Sequence, residues 1–497
     1  MSSPIPTIPL FINGEFRESS TKAKYDVVNP ATGKVIAQSA AASADDCKTA
    51  IEAAGKAFKS WQFVAPAAKV AIFKKVAALL STDKYTDKVV QSVVDETGCI
   101  RPWAKFVNVD IGIHALSEAC DMVYQVKGEI IPSDSGAQSF IQKLPMGVIF
   151  VISPWNAPLG LVLLTTLPAL AAGNTVVLKT SEHSPASQLV AAELLKEASS
   201  FYAGLPDGVY NIIHTAREDS APRVAEIIAH PAVQKIGFTG SDRVGKALAA
   251  EAAKYLKPCV FELGGKAPAV VLNDANIDAA ARAIVSGAFC FSGQMCIGTE
   301  RVIVQRGVSQ QLVERLKAVA SKVKAGDQDT TDAKIGCVFS AASAANIVSM
   351  VQEAVNDGAE LILGDLKANG AFVQPHIVLG AKPGQRMWDR ESFGPVFTIA
   401  VVDTIDEAVE LANASTYSLT SALWTNDMQL GFQLSRKIRA GKVIVNGPTY
   451  CNESRFHQQG WGGSSGYGTF SVESFLNTQL LSFQSAESQK AYLVSDI

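Results

Sequence analysis

At 497 residues the chain exceeds what one hydrophobic core usually supports, so two or three domains are expected. Its composition, 48% hydrophobic and 18% charged with a net charge of −3, is that of an ordinary globular protein and lacks the basic footprint of a nucleic-acid binder. The eight cysteines are scattered, with no pair at CxxC spacing, which argues against zinc sites and disulfide frameworks and fits a reducing cytoplasm.

The N-terminus, Met1-Ser2-Ser3-Pro4-Ile5-Pro6, has neither the basic segment and apolar run of a secretory signal nor the character of a transit peptide. Residues 1–40 read as short strands and turns, punctuated by Asn13-Gly14 and by Asn29 to Gly33. Ser43 with Asp46 three residues on opens a helix whose Cys47, Ile51, Ala54, Phe58 and Trp61 share one face. Helical pattern continues over about 67–94, and from about 127 to 144 it becomes extended. The apolar stretch from Pro158 to Gly173, interrupted by Thr165, Thr166 and Pro168, is too short to span a bilayer and reads as a buried helix, so no membrane is expected.

Strands are expected at Val148 to Ile152, Val176 to Lys179, Val209 to Ile213 and Lys235 to Phe238, with helices between them. That alternation predicts a doubly wound α/β domain, whose ligands bind beyond the carboxyl ends of the strands. A second alternation follows. It comprises a helix from Asn276 to about Cys290, strands at Arg301 to Val304, Leu361 to Leu363, Ser421 to Trp424 and Lys442 to Val445, and a helix at Asp406 to Ala414.

The unusual residues gather at these strand ends. Cys296 lies between Gly293 and Gly298, where small neighbours leave the backbone free to aim an N–H at an oxyanion; it reads as a nucleophile or as an inert buried cysteine. Asn156, bracketed by Pro154 and Pro158, offers an amide donor or simply forms a turn. Glu262, in Phe-Glu-Leu-Gly-Gly-Lys, suits a general base or else pairs with Lys266. Glu182 beyond Lys179 could hold ribose hydroxyls or cap a helix. Gly240 and Ser241 before a helix make a weak phosphate signal that is neither G-x-G-x-x-G nor a Walker loop. Glu391-Ser-Phe393-Gly-Pro reads as an acid before a turn.

Taken in order, Pro-Trp-Asn at 154–156, Lys-x-x-Glu at 179–182, Phe-Thr-Gly-Ser at 238–241, Glu-Leu-Gly-Gly-Lys at 262–266, Gly-Gln-x-Cys at 293–296 and Glu-x-Phe-Gly-Pro at 391–395 resemble the NAD(P)-dependent aldehyde dehydrogenase superfamily over nearly the whole chain. The resemblance implies two doubly wound Rossmann-like domains plus a small β oligomerisation domain. Its boundaries would be 1–123 and 143–264 for the NAD-binding domain, 265–465 for the catalytic domain, and 124–142 with 466–497 for the oligomerisation segment, in a homodimer or homotetramer. It further implies that Cys296 attacks the aldehyde, that Asn156 and the Cys296 backbone N–H hold the oxyanion, and that Glu262 activates the water that releases the acid. Ile152, Pro154, Trp155, Lys179, Glu182, Gly240, Ser241, Gly264, Glu391 and Phe393 would bind the cofactor. NAD is expected ahead of NADP, because the Glu182 carboxylate would repel a 2′-phosphate, although Lys179 could tolerate one.

One departure is the stretch Gly460 to Gly468, which lacks the lysine that family members often carry there. Together with Asn446 to Thr449 and Glu453, it looks like the aromatic-aldehyde branch that includes salicylaldehyde and vanillin dehydrogenases. The expected substrate is therefore an aromatic aldehyde, with Trp103, Phe291, Tyr450 and Trp461 supplying ring contacts and Phe106 beside Trp103 at the entrance; no arginine is placed convincingly to hold a distal carboxylate, and Arg455 is near enough in sequence to keep a semialdehyde acid as the alternative. An acyl-transferring relative is disfavoured by Glu262, and a catalytically idle NAD-binding protein by the joint presence of Cys296, Asn156 and Glu262.

Overall fold

The computed structural model describes residues 5–134, 136–199, 205–329, 331–451 and 459–484; Glu453 and Arg455 lie outside them. Five parallel strands form the centre of the first sheet, in the spatial order Cys259–Glu262, Val233–Thr239, Val148–Ile152, Thr175–Lys179 and Tyr210–Ile213. Antiparallel strands complete its edges, Gly466–Tyr467 on one side and the Leu10–Ile12, Glu15–Arg17 hairpin on the other. The hairpin turns through Asn13 and Gly14, both at positive φ, as a two-residue loop with the right twist requires.

Every residue of Val148–Ile152 is buried, and the side chains alternate between two cores: Ile149 and Val151 face one, Val148, Phe150 and Ile152 the other. A parallel sheet covered on both faces must read this way. Chain order reverses between Val148–Ile152 and Val233–Thr239, where Ile152 stands opposite Phe238, so a crevice opens beyond these two carboxyl ends. The Cys259–Glu262 strand was not expected; it sets Glu262 opposite Thr239 at the rim of that crevice.

The second sheet has the order Glu360–Leu363, His376–Leu379, Val396–Val402, Thr299–Gln305, Ala267–Val271, Thr420–Trp424 and Lys442–Val445, parallel except for the first strand. Three of these strands, Ala267–Val271, His376–Leu379 and Val396–Val402, were not anticipated. A third, antiparallel sheet joins Glu129–Ile131, Gln138–Pro145 and Leu476–Phe483. Gly466–Tyr467, grouped by sequence with that last sheet, pairs instead with Phe261 and Glu262.

The helices follow local chemistry. Ala44–Trp61 begins with the expected reciprocal Ser43–Asp46 capping box. The helical run over 67–94 is two helices, Pro66–Leu80 and Asp83–Thr97, because the Ser81 and Thr82 hydroxyls donate back to the Ala77 and Leu79 carbonyls and compete with helix continuation. The helix Pro158–Ala171 follows the first strand of the crevice. Its Leu159 and Gly160 N–H groups, orphaned at a helix start, donate to Asn108 Oδ1 from the π-helical turn Phe106–Asp110. Among the described residues no helix is long and apolar enough to cross a membrane, and no cluster of three His, Cys, Asp or Glu side chains is placed to hold a metal ion.

Candidate active site

Cys296 follows a turn that the chain has to force. After the helix Ile277–Phe289, Phe291 (φ 49°), Ser292 (φ 54°) and Gly293 (φ 73°) take left-handed conformations in succession. For the two non-glycine residues this costs on the order of 1–3 kcal/mol each and persists only where the surroundings over-determine it. They do so here: Ser292 Oγ donates to the Gly336 carbonyl at 2.8 Å, Gln294 Nε2 to the Phe291 and Cys337 carbonyls, and the Phe339 N–H to Gln294 Oε1. At Gly293 a Cβ would stand 1.9 Å from the Gly394 carbonyl oxygen, so only glycine fits.

Glu262 meets Cys296 because the strand end Cys259–Glu262 leads into Leu263-Gly264-Gly265, and Gly265 packs directly on the cysteine backbone. A Cβ there would be 1.8 Å from the Cys296 carbonyl oxygen. The thiol and the Glu262 carboxylate are hydrogen-bonded, and burial, Glu262 and Glu391 together push the thiol well above its ordinary range. Lys266 does not pair with Glu262; its ammonium is 2.5 Å from Glu300. Asn156 donates one amide N–H to the Gln294 carbonyl at 3.1 Å, which fixes its carboxamide plane beside Cys296.

Two cavities share Asn156 and Cys296 as a common wall. One, of about 300 Å³, is enclosed by Trp103, Phe106, Leu161, Leu164, Met295, Ile297 and Tyr450 among others, and none of its described lining residues is charged. The other, of about 270 Å³, lies in the crevice of the first sheet and is lined by Pro154, Trp155, Thr239, Gly240, Ser241, Glu262, Gly264, Phe339, Glu391 and Phe393. The Cys296 thiol thus stands between an apolar chamber and a polar-rimmed one.

In the second cavity Glu391 Oε1 accepts the Gly265 N–H at 2.8 Å, and a Cβ on Gly264 would press to 2.6 Å from its other oxygen. Burial and the nearby Glu300 charge hold the Glu391 carboxyl well above the usual carboxylate range. Ser241 caps the helix Asp242–Ala253, accepting the Val244 N–H, so that helix start faces the cavity. Lys179 ends the next strand and Glu182 lies beyond it, both outside this cavity; Lys179 is buried and donates to the Thr180 carbonyl, its pKa lowered by that burial, while Glu182 is partly exposed beside His183. Ile152 is buried within the sheet and does not line the cavity.

The aldehyde dehydrogenase family profile matches residues 16–481. The chain is 36% identical to vanillin dehydrogenase of Pseudomonas fluorescens over 96% of its own length and 98% of that protein's, and 35% identical to salicylaldehyde dehydrogenase of Pseudomonas putida over 97% and 99%. The chain belongs to the aldehyde dehydrogenase family. Its fold is likewise similar to the solved salicylaldehyde dehydrogenase of Pseudomonas putida G7 complexed with salicylaldehyde, with a TM-score of 0.92 at 33% identity, covering 97% of this chain and 99% of that one.

As an aldehyde dehydrogenase the protein uses NAD(P), and its crevice fits such a dinucleotide. A helix start with Ser241 at its cap offers N–H groups to a diphosphate, a buried carboxylate at Glu391 offers acceptors to ribose hydroxyls, and glycines at 240 and 264 keep the wall open. Two expected substrate contacts are corrected. Phe291, turned back by its left-handed φ, stacks on Trp103 (6.0 Å, 17°) and meets Trp155 edge-on (6.1 Å), behind the apolar cavity and not in it. Trp461 is 54% exposed, because Ser465 ties the glycine-rich stretch to the Gly264 carbonyl and the Leu263 N–H and leaves the indole outside.

Leu161, Leu164, Met295, Ile297, Thr239 and Phe339 also form cavity walls, beyond the residues expected from the sequence. Ala157, Gly160, Leu161 and Leu164 do recur at helical spacing from Asn156, a signal that was present. The lysine-free stretch closes the first sheet's edge through Gly466 and Tyr467.

Proposed function

We propose that this aldehyde dehydrogenase oxidises aromatic aldehydes to carboxylic acids with NAD, using Cys296 as nucleophile. The observation that carries the reading is the placement of Cys296 and Asn156 on the shared wall of an uncharged, aromatic-lined cavity and a cofactor-shaped crevice. A flat, uncharged aldehyde satisfies the first cavity; a distal carboxylate would find no cation among its described lining residues.

On this reading the Cys296 thiol, hydrogen-bonded to Glu262 in the resting enzyme, loses its proton to solvent, and the sulfur forms a bond to the carbonyl carbon. The Asn156 amide and the Cys296 backbone N–H hold the resulting oxyanion. NAD, when bound, supplies the hydride acceptor. Glu262 then takes a proton from water attacking the Cys296 thioester, and collapse frees the acid and the thiol. Pro154, Trp155, Gly240, Ser241, Gly264, Glu391 and Phe393 would hold the nicotinamide half, with Lys179 and Glu182 at the adenosine end. The Glu182 carboxylate supports NAD over NADP, since it matches ribose hydroxyls and repels a 2′-phosphate.

The division into an NAD-binding unit around the first sheet, a catalytic unit around the second and an oligomerisation segment around the third belongs to the same proposal. Ile130 and Phe483, 79% and 57% exposed on the third sheet, support a homodimer or homotetramer that covers them. Light scattering after size exclusion tests this, a monomer opposing it.

The substrate test is kcat/KM for benzaldehyde, hexanal and succinic semialdehyde under one set of conditions. Two ring contacts of about 0.5–1.5 kcal/mol each predict a benzaldehyde preference of about tenfold or more. A higher value for either aliphatic substrate refutes the aromatic reading and leaves the family assignment standing.

A further inference from the structure

Four residues beyond the nucleophile, on the strand Thr299–Gln305, lies a carboxylate that the reaction above does not use. Glu300 is 3% exposed, and its side chain is surrounded by donors. The Ser392 N–H reaches both of its oxygens, at 2.9 and 3.0 Å, the Phe393 N–H reaches Oε1 at 3.2 Å, and the Lys266 ammonium is 2.5 Å from Oε2. Lys266 is itself 1% exposed. A buried ion pair is costly to desolvate and is compensated only where further hydrogen bonds satisfy the remaining lone pairs, as these two backbone N–H groups do.

The segment so held needs holding. Phe393 has a φ of 49°, a left-handed conformation that a bulky side chain adopts only under constraint, and the next carbonyl, that of Gly394, presses against Gly293 in the nucleophile turn. The same short segment sends Glu391 and Phe393 into the crevice. Glu300 therefore lies only four residues from Cys296, at the start of the strand that follows it, while gripping the turn that carries the opposite wall of the cofactor cavity.

We propose that Glu300, charge-balanced by Lys266, is a positioning residue that holds the Ser392–Phe393 turn and thereby sets the cofactor's reactive end against Cys296. The inference rests on the assignment of Glu391 and Phe393 to cofactor binding. Glu300 itself touches neither the thiol nor the cavity.

The test separates chemistry that needs the cofactor from chemistry that does not. Hydrolysis of p-nitrophenyl acetate requires only the Cys296 thiolate, which displaces p-nitrophenolate to form an acetyl thioester, and water activated by Glu262, which releases acetate and the thiol. Glu300→Gln should lose about 10²-fold in NAD-dependent benzaldehyde turnover, the scale of an ångström-level misplacement, while cofactor-free ester hydrolysis stays within about threefold. NAD binding to the free enzyme, measured by calorimetry, should weaken about tenfold or more, with the KM for benzaldehyde little changed.

If the lone Lys266 charge prevents Glu300→Gln from folding, the double variant Lys266→Met/Glu300→Gln removes both charges and carries the same expectations. Unchanged NAD affinity and turnover in a folded variant overturn the proposal. So does a parallel fall in ester hydrolysis, which would make Glu300 a support for the nucleophile turn alone. Glu391→Ala distinguishes the two levels. If it leaves NAD binding at the wild-type value, the cofactor assignment fails and this inference with it; if it weakens binding while the Glu300 variants do not, only the role of Glu300 is refuted.

Discussion

Gly265→Ala probes the contact that brings Glu262 and Cys296, the proposed base and nucleophile, together. The added Cβ would stand 1.8 Å from the Cys296 carbonyl oxygen, whereas real Cβ contacts essentially never fall below 3.0 Å. The obstacle is backbone, so it cannot swing aside as a side-chain tip would. The Glu262–Gly265 segment and the Cys296 backbone must separate by more than about 1 Å, and a displacement of that size at reacting groups costs on the order of 10²-fold. The Gly265 N–H also orients Glu391, so cofactor placement should suffer with it. Initial rates of NADH formation from benzaldehyde, taken well below the variant's melting temperature, give the loss in kcat. Gly33→Ala is the control: its φ is +68° with nothing within 4 Å of the added carbon, so it should lower stability by about 1–2 kcal/mol and leave kcat untouched. A folded Gly265→Ala enzyme with kcat within about threefold of wild type would refute the claimed dependence on this contact.

Three further outcomes follow from the geometry. Asn156→Ala should lower kcat about 10²–10³-fold, the usual worth of one oxyanion donor, and an effect confined to KM would reassign Asn156 to substrate binding. Because burial and the Glu262 charge push the Cys296 thiol well above its ordinary range, inactivation of the free enzyme by iodoacetamide should keep rising through alkaline pH; a plateau below neutrality would contradict this. His214, buried with Nδ1 on Thr180 and Nε2 on the Pro9 carbonyl, is pushed down to about 4 by its burial. The native state then binds fewer protons than the unfolded chain between that value and the unfolded one, so stability is full above about pH 6.5 and falls as acid is added, by about 2 kcal/mol at about pH 5. Urea midpoints that are equally pH-dependent in His214→Gln would remove His214 as the cause.

Four of the five central strands of the first sheet were legible because each is a short apolar run ending in polar residues. The crevice was legible because those polar ends fall together. Cys296, Glu262 and Asn156 were each ambiguous alone, and it is the order of their motifs along the chain that carries the resemblance to the family. Other features depend on contacts that no local pattern carries. Ala267–Val271 contains a proline, and no helix longer than Arg386–Asp389 separates His376–Leu379 from Val396–Val402, so the strand-helix rhythm was absent there. The Pro158–Ala171 helix is apolar all round, which hid the face that Leu161 and Leu164 turn to the cavity. Phe291 was misplaced because nearness in sequence to Cys296 says nothing of direction, which its left-handed backbone decides. Glu300 looked like any strand glutamate, since its partners come from residues 266 and 392–393.

The most direct test of the account is to trap the acyl-enzyme. In Glu262→Gln, mixed with benzaldehyde and NAD and quenched after one turnover, peptide mass spectrometry should find one benzoyl group on Cys296, accompanied by about one equivalent of NADH per active site, because the water-activating base is missing after oxidation is complete. Oxidation by that variant with Cys296 unmodified, or a benzoyl group on any other residue, would contradict the assignment of Cys296 as the nucleophile.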